Sequence, residues 1–508
     1  MGTLAGTCLA AAETAKQPTY PIVDTGQIRC YDDKVQVAFP QVQSPYFGQD
    51  AHYAGNQPSY QVHGNGTATD LVTGLMWQTD PGEKMTYRQA VQGASKCRTG
   101  GHSDWRLPTI KELYSLILFS GTDPDVHSTD TSRLKPFIDT QVFKFQYGNP
   151  NNGAQSERII DSQFATSTKY VHQTMRGNDT VFGVNFADGR IKGYPMKDPR
   201  GNADKKFFVL YVRGNDHYGK NKLVDNKDGT ITDHATGLTW MTVDSGMLKA
   251  GKDKDGKLNW QQALAWSESL DYAGHSDWRL PNAKELQSIV DYSRSPATTI
   301  SAAIDPLFQT SRVTEGGEND YPYYWTGTTH RRGGGGRSAV YVCFGKGYGW
   351  MTDRRTGDKI LMDVHGAGCQ RSDPKSGDPS ATPHGRGPQG DVLRIYNFVR
   401  CVRGGKANPV TTGPAVEKPD HSANPEAQQA PAAPERGITR DDRQPPAGRA
   451  GFVARLDRNK DGKVSIDEFD GPKNHFNHLD TNGDGYISQQ EAPTGPPANR
   501  RPSPPHRR

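Results

Sequence analysis

The chain contains two copies of one module, and this duplication constrains its fold more than any other feature of the sequence. Residues 101–108 read GHSDWRLP, and residues 274–281 repeat those eight letters unchanged. Four further blocks recur in the same order, namely an Asn/Asp-Gly-Thr turn, a Thr-Gly-Leu-x-Trp segment, a Thr-rich segment that starts on Phe or Trp, and a closing Val-Arg-Gly. Five blocks in one order indicate a tandem repeat. We place the copies at residues 60–216 and 222–405.

Each copy is predicted to be an α+β module. The Gly-Thr turn lies between β-prone residues and predicts a hairpin. Two capping boxes in each copy predict two helix starts, and the remaining residues alternate as antiparallel strands do. The capping boxes are Thr86–Gln89, Thr109–Glu112, Asn259–Gln262 and Asn282–Glu285.

The repeated blocks resemble a known bacterial family. Thr-Gly-Leu-x-Trp, Asp-Trp-Arg-Leu-Pro-x-x-Lys-Glu-Leu and the closing Val-Arg-Gly are similar to the Legionella collagen-like (Lcl) C-terminal domain family. The resemblance covers both copies. It implies an extracellular module of C-type-lectin-like character, because the namesake domain binds sulfated glycosaminoglycans. It supplies no ligand residue, since the shared blocks are scaffold-like, and Trp105 and Trp278 are predicted to be core side chains.

The N-terminal residues predict export. Residues 1–12 read as a signal-peptide remnant, although they lack a basic start. Residues 13–59 are predicted to be a leader segment that packs on the first module. We expect the protein to be secreted or held at the bacterial cell surface, with the periplasm as the alternative.

Composition excludes several classes of protein. No stretch of about 20 apolar residues exists, so a membrane span is excluded. A net charge of +5 over 508 residues argues against a dedicated nucleic-acid binder. The helical patterns are too short for a coiled coil.

The C-terminal part predicts a calcium-binding unit at residues 451–492. It lies between a Pro/Ala-rich spacer at residues 406–450 and a basic tail at residues 493–508, both predicted to be disordered. Two segments match the twelve-residue EF-hand loop, in which alternate oxygen ligands surround Ca²⁺ and a Gly permits the sharp bend. The predicted ligands are Asp457, Asn459, Asp461, Lys463, Ser465 and Glu468 in loop one, and Asp480, Asn482, Asp484, Tyr486, Ser488 and Glu491 in loop two. The loops begin so close together that the helices of this all-α pair must be short.

Two further predictions concern surface charge and cysteine pairing. Residues 330–403 carry ten Arg and three Lys against six Asp and no Glu, an excess that attracts polyanions. The predicted contacts to an acidic or sulfated glycan are Arg331, Arg332, Arg337, Arg354 and Arg355. Cys30 precedes the duplication and Cys401 ends it, so a disulfide between them is predicted to join the first and last strands.

These patterns favour a calcium-binding protein with lectin-like modules that binds an extracellular ligand without catalysis. No catalytic acid/base pair can be identified, and His102, Ser103 and Asp104 are consecutive and cannot form a triad. One alternative is a glycan-directed enzyme on a related fold. Another is a dockerin-like assembly protein, in which the EF-hand pair binds a protein partner.

Overall fold

The computed structural model describes residues 18–151, 157–198, 203–333, 335–353, 355–416, 449–466, 468–469 and 473–492. The chain divides into two compact units, Met1–Asp420 and His421–Arg508. We call them the repeat unit and the C-terminal unit. The predicted signal remnant and basic tail lie outside the described residues.

The repeat unit is built mainly of short strands. The leader carries β1 (Cys30–Tyr31), β2 (Gln36–Val37) and β3 (Tyr53–Ala54). Copy one carries β4 (Tyr60–Val62), β5 (Thr67–Asp70), β6 (Leu75–Gln78), β7 (Met85–Thr86), α1 (Tyr87–Lys96), α2 (Ile110–Tyr114), β8 (Gln163–Thr174), β9 (Asn178–Asn185), β10 (Arg190–Pro195), β11 (Lys206–Phe207) and β12 (Val212–Gly214). Copy two carries β13 (Leu223–Asp225), β14 (Thr230–Asp233), β15 (Leu238–Met241), α3 (Trp260–Glu268), α4 (Ala283–Ser288), β16 (Val313–Glu315), β17 (Glu318–Asp320), β18 (Tyr323–Arg332), β19 (Gly335–Cys343), β20 (Tyr348–Thr352), β21 (Lys359–Asp363), β22 (Gln370–Pro374) and β23 (Val402–Gly404), followed by β24 (Asn408–Pro409). No described helix is long and apolar enough to cross a membrane.

The two copies repeat one local architecture. Each builds a four-stranded antiparallel sheet, in the order β12-β6-β5-β4 in copy one and β23-β15-β14-β13 in copy two. The Val-Arg-Gly strand therefore pairs with the Thr-Gly-Leu-x-Trp strand in both copies. All four predicted capping boxes are confirmed, and each begins a helix. The hairpin predicted at the Gly-Thr turn is also confirmed in each copy.

A single six-stranded sheet joins the copies into one body. Its order is β8-β9-β10-β22-β19-β18, so three strands come from each copy. The seam is the antiparallel pair β10 and β22, where Ile191 lies opposite Gln370. One hydrophobic core contains side chains from both copies, such as Phe182 and Val340. The duplicated modules are therefore fused.

The leader lies against both copies, and not only against the first module on which the sequence places it: the Phe119 amide of copy one donates to the Thr25 carbonyl at 2.7 Å. Tyr53 donates a hydrogen bond to Glu268 at 2.6 Å, and the Gln27 side-chain amide bonds the backbone of Thr329 in both directions. Buried Lys284 of copy two donates to the carbonyl oxygens of Asp24 and of Ser115, which belongs to copy one. Strands too short to bury a face alone are stabilised by lying between two modules.

The spacer begins later than predicted. β24 pairs with β3, and the Val410 amide donates to the His52 carbonyl at 2.7 Å. Residues 406–416 thus belong to the repeat unit, because their backbone groups complete the edge of the leader. Residues 417–448 lie outside the described part of the chain.

The predicted Cys30–Cys401 disulfide is not formed in this structure, in which all five described cysteines are free thiols. The Cys30 sulfur lies 3.8 Å from Nδ1 of His52, whereas the Cys401 sulfur lies 3.3 Å from Oγ of Ser267. β1, which carries Cys30, pairs with β2, and the residues after it bond the start of β19, where the Gly336 amide donates to the Lys34 carbonyl.

The C-terminal unit contains α5 (Arg449–Leu456), β25 (Val464–Ser465), α6 (Lys473–Leu479) and β26 (Tyr486–Ile487). The helices are short, as the loop spacing predicts. β25 and β26 pair at Val464 and Ile487, which connects the two loops. Apolar side chains from both helices and both strands form one small core.

Candidate functional site

The repeated motif is a scaffold in which charged residues pair with one another. Arg106 makes a bidentate ion pair with Glu112 at 2.6 and 2.5 Å. In copy two, Arg279 pairs in the same way with Glu285, with both contacts at 2.7 Å. The arginine of Asp-Trp-Arg-Leu-Pro therefore holds the glutamate that caps the following helix.

The other charged residue of the motif is also used internally. Asp104 accepts from Arg213 at 2.6 Å, and Asp277 accepts from Arg403 at 2.7 Å, which ties the motif to the Val-Arg-Gly strand. Trp105 and Trp278 are buried, as predicted. In both copies the charged side chains of Asp-Trp-Arg-Leu-Pro are therefore held in internal ion pairs.

The C-terminal loops fold so that their acidic side chains lie over the loop backbone. In loop one, Oδ2 of Asp457 accepts from the Gly462 amide at 2.8 Å, and Oε1 of Glu468 accepts from the Asn459 amide at 3.1 Å. The equivalent bonds in loop two measure 3.0 and 3.2 Å. Gly462 has a φ of +85°, which produces the sharp bend that the ligand spacing requires.

The two closing glutamates are held in their charged form. Backbone and hydroxyl donation from Ser465 lowers the pKa of Glu468 to about 2, and donation from Ser488 lowers the pKa of Glu491 to about 2. Each loop therefore offers two Asp, one Asn and one ionised Glu, together with backbone carbonyls. This set consists of oxygen donors only and fits Ca²⁺. Within the described residues, the loops included, no three or more His, Cys, Asp or Glu side chains converge as a preformed metal site.

The loops differ at one backbone position. Lys460 has a φ of +65°, in the left-handed region where loop two has Gly483. A residue with a Cβ is strained there by about 1 kcal/mol. Loop one therefore carries a conformational cost that loop two lacks.

A cavity of about 530 Å³ opens at the seam between the copies. We call it the basic cavity. Arg190, Lys192 and Tyr194 occupy alternate positions of β10 and share one face, and Arg371 comes from β22 beside them. The remaining walls are formed by strand residues such as Gln163, Arg332 and Met351 and by loops of both copies. The volume is within the range of small-ligand sites.

The charges that line the basic cavity are predominantly positive. Seven Lys or Arg side chains line it against four Asp. The cations are Arg158, Arg190, Lys192, Lys205, Arg332, Arg371 and Arg386, and the anions are Asp123, Asp125, Asp188 and Asp391. Each anion already has a partner, in the pairs Arg190–Asp123 at 2.7 Å, Lys192–Asp188 at 2.8 Å, Arg332–Asp125 at 3.0 Å and Arg371–Asp391.

Several donors of the cavity remain unsatisfied. Arg371 is only 7% exposed, and its Nε and Nη1 have no hydrogen-bond partner among the described residues. Lys205 and Arg386 also have no ion-pair partner among the described residues. The Lys205 ammonium lies 4.8 Å from the ring centre of Tyr194. Buried donors without acceptors cost free energy, so an anionic group placed here would be stabilised.

Burial lowers the affinity of these cations for protons. Desolvation lowers the pKa of Lys192 to about 7 and that of Lys205 to about 8. Desolvation, and then the charge of Arg190, also lower the pKa of Arg371. Keeping these side chains positively charged in the cavity therefore costs free energy, and a bound anion would reduce that cost.

Of the five arginines predicted to contact glycan, only Arg332 lines the basic cavity. Arg331 lies 5.8 Å from the ring centre of Tyr31, whereas Arg337 and Arg355 are exposed elsewhere. Arg354 lies outside the described residues. The copy-one cations Arg158, Arg190, Lys192 and Lys205 were not predicted from the sequence. The Arg-x-Lys-x-Tyr alternation of β10 is the signal that could have identified two of them.

The arrangement nearest to a catalytic dyad lies beneath the cavity. Oγ of Ser372 is 3.0 Å from Nδ1 of His330, and Nε2 of His330 is 2.9 Å from the Asp188 carbonyl. Desolvation, with the charge of Arg190, lowers the pKa of His330 to about 4. An imidazole of this pKa is a weak general base. The pair therefore fits a structural role.

These features define a duplicated α+β repeat protein that carries a paired-loop unit of the EF-hand type. Residues 66–213 and 229–362 match the Lcl C-terminal domain, and together they span more than half of the chain. The chain belongs to the Lcl C-terminal domain family. Residues 454–470 and 474–491 match the EF hand. The comparison with curated proteins and the comparison with solved structures each found no match.

The two matches confirm the domain identities expected from the sequence. The EF-hand match indicates calcium binding, and the Lcl match indicates an extracellular role. Neither model represents a known catalytic family.

Proposed function

We propose that this protein is an exported, non-enzymatic binder of acidic or sulfated glycan, with the basic cavity as its ligand site. The proposal adds a calcium-binding role for the C-terminal loops, with the twelve predicted ligand residues. The single observation that supports glycan binding most strongly is the buried Arg371, whose Nε and Nη1 lack acceptors in a cavity with an excess of cations.

The physical argument rests on anion recognition by buried donors. A carboxylate or sulfate presents oxygens that can accept from a guanidinium in bidentate geometry. In a desolvated cavity such contacts are stronger than at an exposed surface, because screening by water is weaker. The unpaired cations Lys205 and Arg386 add charge at the same cavity. A neutral saccharide could accept hydrogen bonds from these donors through its hydroxyl oxygens, but it would leave the excess positive charge uncompensated.

Substitution of the unpaired cations is expected to weaken binding. For the double variant Lys205→Met/Arg386→Gln, we expect the Kd for a sulfated disaccharide to rise by more than about 100-fold, since each of the two charge-assisted contacts contributes about 1.5–3 kcal/mol. Neither side chain has an ion-pair partner in the described residues, so the fold should be retained. Isothermal titration calorimetry on the full chain measures the change.

The matched control is Arg337→Gln/Arg355→Gln, which removes two exposed cations outside the cavity. Its Kd is expected to stay within about 3-fold of the unsubstituted protein, because exposed charges are screened. If the control lost binding while the cavity variant retained it, the ligand surface would be the exposed arginine set predicted from the sequence.

Binding is expected to weaken as the pH rises from 6 to 9. Lys192 and Lys205 have pKa values of about 7 and about 8 in the free protein. A bound anion favours their charged forms and raises both pKa values, so binding takes up protons and is strongest below pH 7. Calorimetry in buffers of different ionisation enthalpy measures this uptake, and Lys192→Gln should reduce it. A Kd independent of pH over this range would contradict the assignment.

The C-terminal unit would serve this function either as a calcium-ordered accessory or as the docking tag of a dockerin-like assembly. Immobilised full-length protein that captures a partner only in the presence of Ca²⁺ would support docking. If a chelator did not change the amount of partner captured, docking would be excluded and the accessory role would remain.

A further inference from the structure

We propose that Cys343 and Cys369 form a disulfide bond in the exported protein. Cys343 ends β19, and Cys369 directly precedes β22, the strand that pairs with β19. Because Val342 lies opposite Gln370 in this antiparallel pair, the two cysteines are opposed at the next position.

The backbone contacts place the two residues within disulfide range. The Cys343 amide donates to the Cys369 carbonyl at 2.9 Å, and the Gly368 amide donates to the Cys343 carbonyl at 2.8 Å. Directly opposed residues of antiparallel strands have Cα atoms about 4.5–5.5 Å apart. Disulfides need about 4.4–6.8 Å, so the Cα separation expected from this register is compatible with the bond.

The other described cysteines have different neighbours. Cys97 bonds Gln78 and Thr99, Cys30 lies beside His52, and Cys401 lies beside Ser267. Among the described cysteines, Cys343 and Cys369 are the pair that the strand register places opposite each other, and both are free thiols in this structure. In an oxidising compartment, thiols so placed pair with each other.

The bond would close the segment of residues 344–368, which includes the β20–β21 hairpin. Met351 of that hairpin lines the basic cavity, and His365 near its end lies 2.7 Å from Asp391, another residue of the cavity wall. Closing a loop of this length removes conformational entropy from the unfolded chain. The disulfide would therefore stabilise one wall of the cavity.

The chemistry is thiol–disulfide exchange with a protein or small-molecule disulfide as oxidant. One cysteine thiolate attacks the oxidant disulfide, forms a mixed disulfide and releases one oxidant thiol. The second cysteine thiolate then attacks the first cysteine's sulfur and releases the other oxidant thiol. Two electrons and two protons pass to the oxidant. Both residues are at most 1% exposed, and burial raises the pKa of the Cys343 thiol, so exchange takes place before the strands close.

Peptide mapping of the full chain tests the bond. Protein exported to an oxidising compartment and purified without reductant is alkylated, digested with trypsin and analysed by mass spectrometry. We expect residues 338–346 linked to residues 360–371, with a mass lower by two hydrogens than the sum of the separate peptides. Alkylation of both cysteines before reduction would overturn the proposal, as would a link from either residue to another cysteine.

A thermal measurement adds a functional readout. We expect reductant to lower the Tm of the exported protein by about 5 °C or more. The double variant Cys343→Ala/Cys369→Ala should lose this dependence, whereas Cys97→Ala should keep it. If the double variant fails to fold, the mapping of the unsubstituted protein decides alone.

Discussion

Adding Ca²⁺ to the full chain is expected to order the C-terminal unit, with a Kd of about 10⁻⁴–10⁻³ M, the range of extracellular modules. Each loop brings three carboxylates close together, and their repulsion opposes folding until a cation is present. The core beneath them is small, with six fully buried apolar side chains. Binding energy should therefore appear as folding energy, seen as a gain of helical circular dichroism during titration.

The variant Glu468→Gln/Glu491→Gln is expected to weaken calcium binding about 100-fold or more in Kd, because each loop loses an ionised, bidentate ligand. Glutamine keeps the size and one carbonyl oxygen, so altered packing would not explain the loss. The matched control is Ser465→Ala/Ser488→Ala, which removes the hydroxyl donors to the same glutamates and should cost far less. Equal affinity in the glutamine variant and the unsubstituted protein would refute the loop assignment.

The variant Arg279→Leu is expected to destabilise the repeat unit by about 3–5 kcal/mol in the free energy of unfolding. Arg279 and Glu285 form a bidentate pair whose side chains are 5% and 6% exposed. Removing the arginine leaves an ionised carboxylate buried without its counter-charge. It also frees the glutamate that caps α4. Urea unfolding followed by tryptophan fluorescence measures the loss.

The duplicated motif supplies graded controls for this experiment. In copy one the equivalent Arg106 is 34% exposed, so Arg106→Leu should cost less, because water can reach Glu112 once the guanidinium is gone. Arg403→Leu breaks the ion pair with Asp277, which is 59% exposed, and should cost at most about 1 kcal/mol. Equal losses in all three variants would show that burial of the pair does not set its contribution.

The local architecture was predictable because its signals are local. Each capping box specifies a helix start through contacts three residues apart, and all four begin a helix. The Gly-Thr turn and its flanking β-prone residues specify a hairpin in the same way. The EF-hand loops are twelve-residue patterns in which every ligand lies on one short segment.

The joining of the copies was not predictable from these patterns. Ile191 and Gln370 pair although they belong to different copies, and no local periodicity encodes a contact between residues so distant in sequence. The predicted Cys30–Cys401 disulfide has the same origin, since it assumed that β1 and β23 are neighbours, whereas β1 pairs with β2 and β23 pairs with β15. Arg190 and Lys192 resemble the solvent face of a strand in the sequence. In the structure, Arg190 and Lys192 line a cavity, because residues of copy two such as Arg371 and Asp391 lie against this face of β10.

The seam between β10 and β22 has a consequence for chains that carry only one copy. Such a chain would leave β10 as an open strand edge, a surface that favours pairing with another molecule. Two single-copy chains related by a two-fold axis through this seam would rebuild the six-stranded sheet as a homodimer. Its cavity would then exist only above the concentration at which the subunits associate. Tandem duplication places both halves in one polypeptide and makes assembly of the cavity independent of dilution.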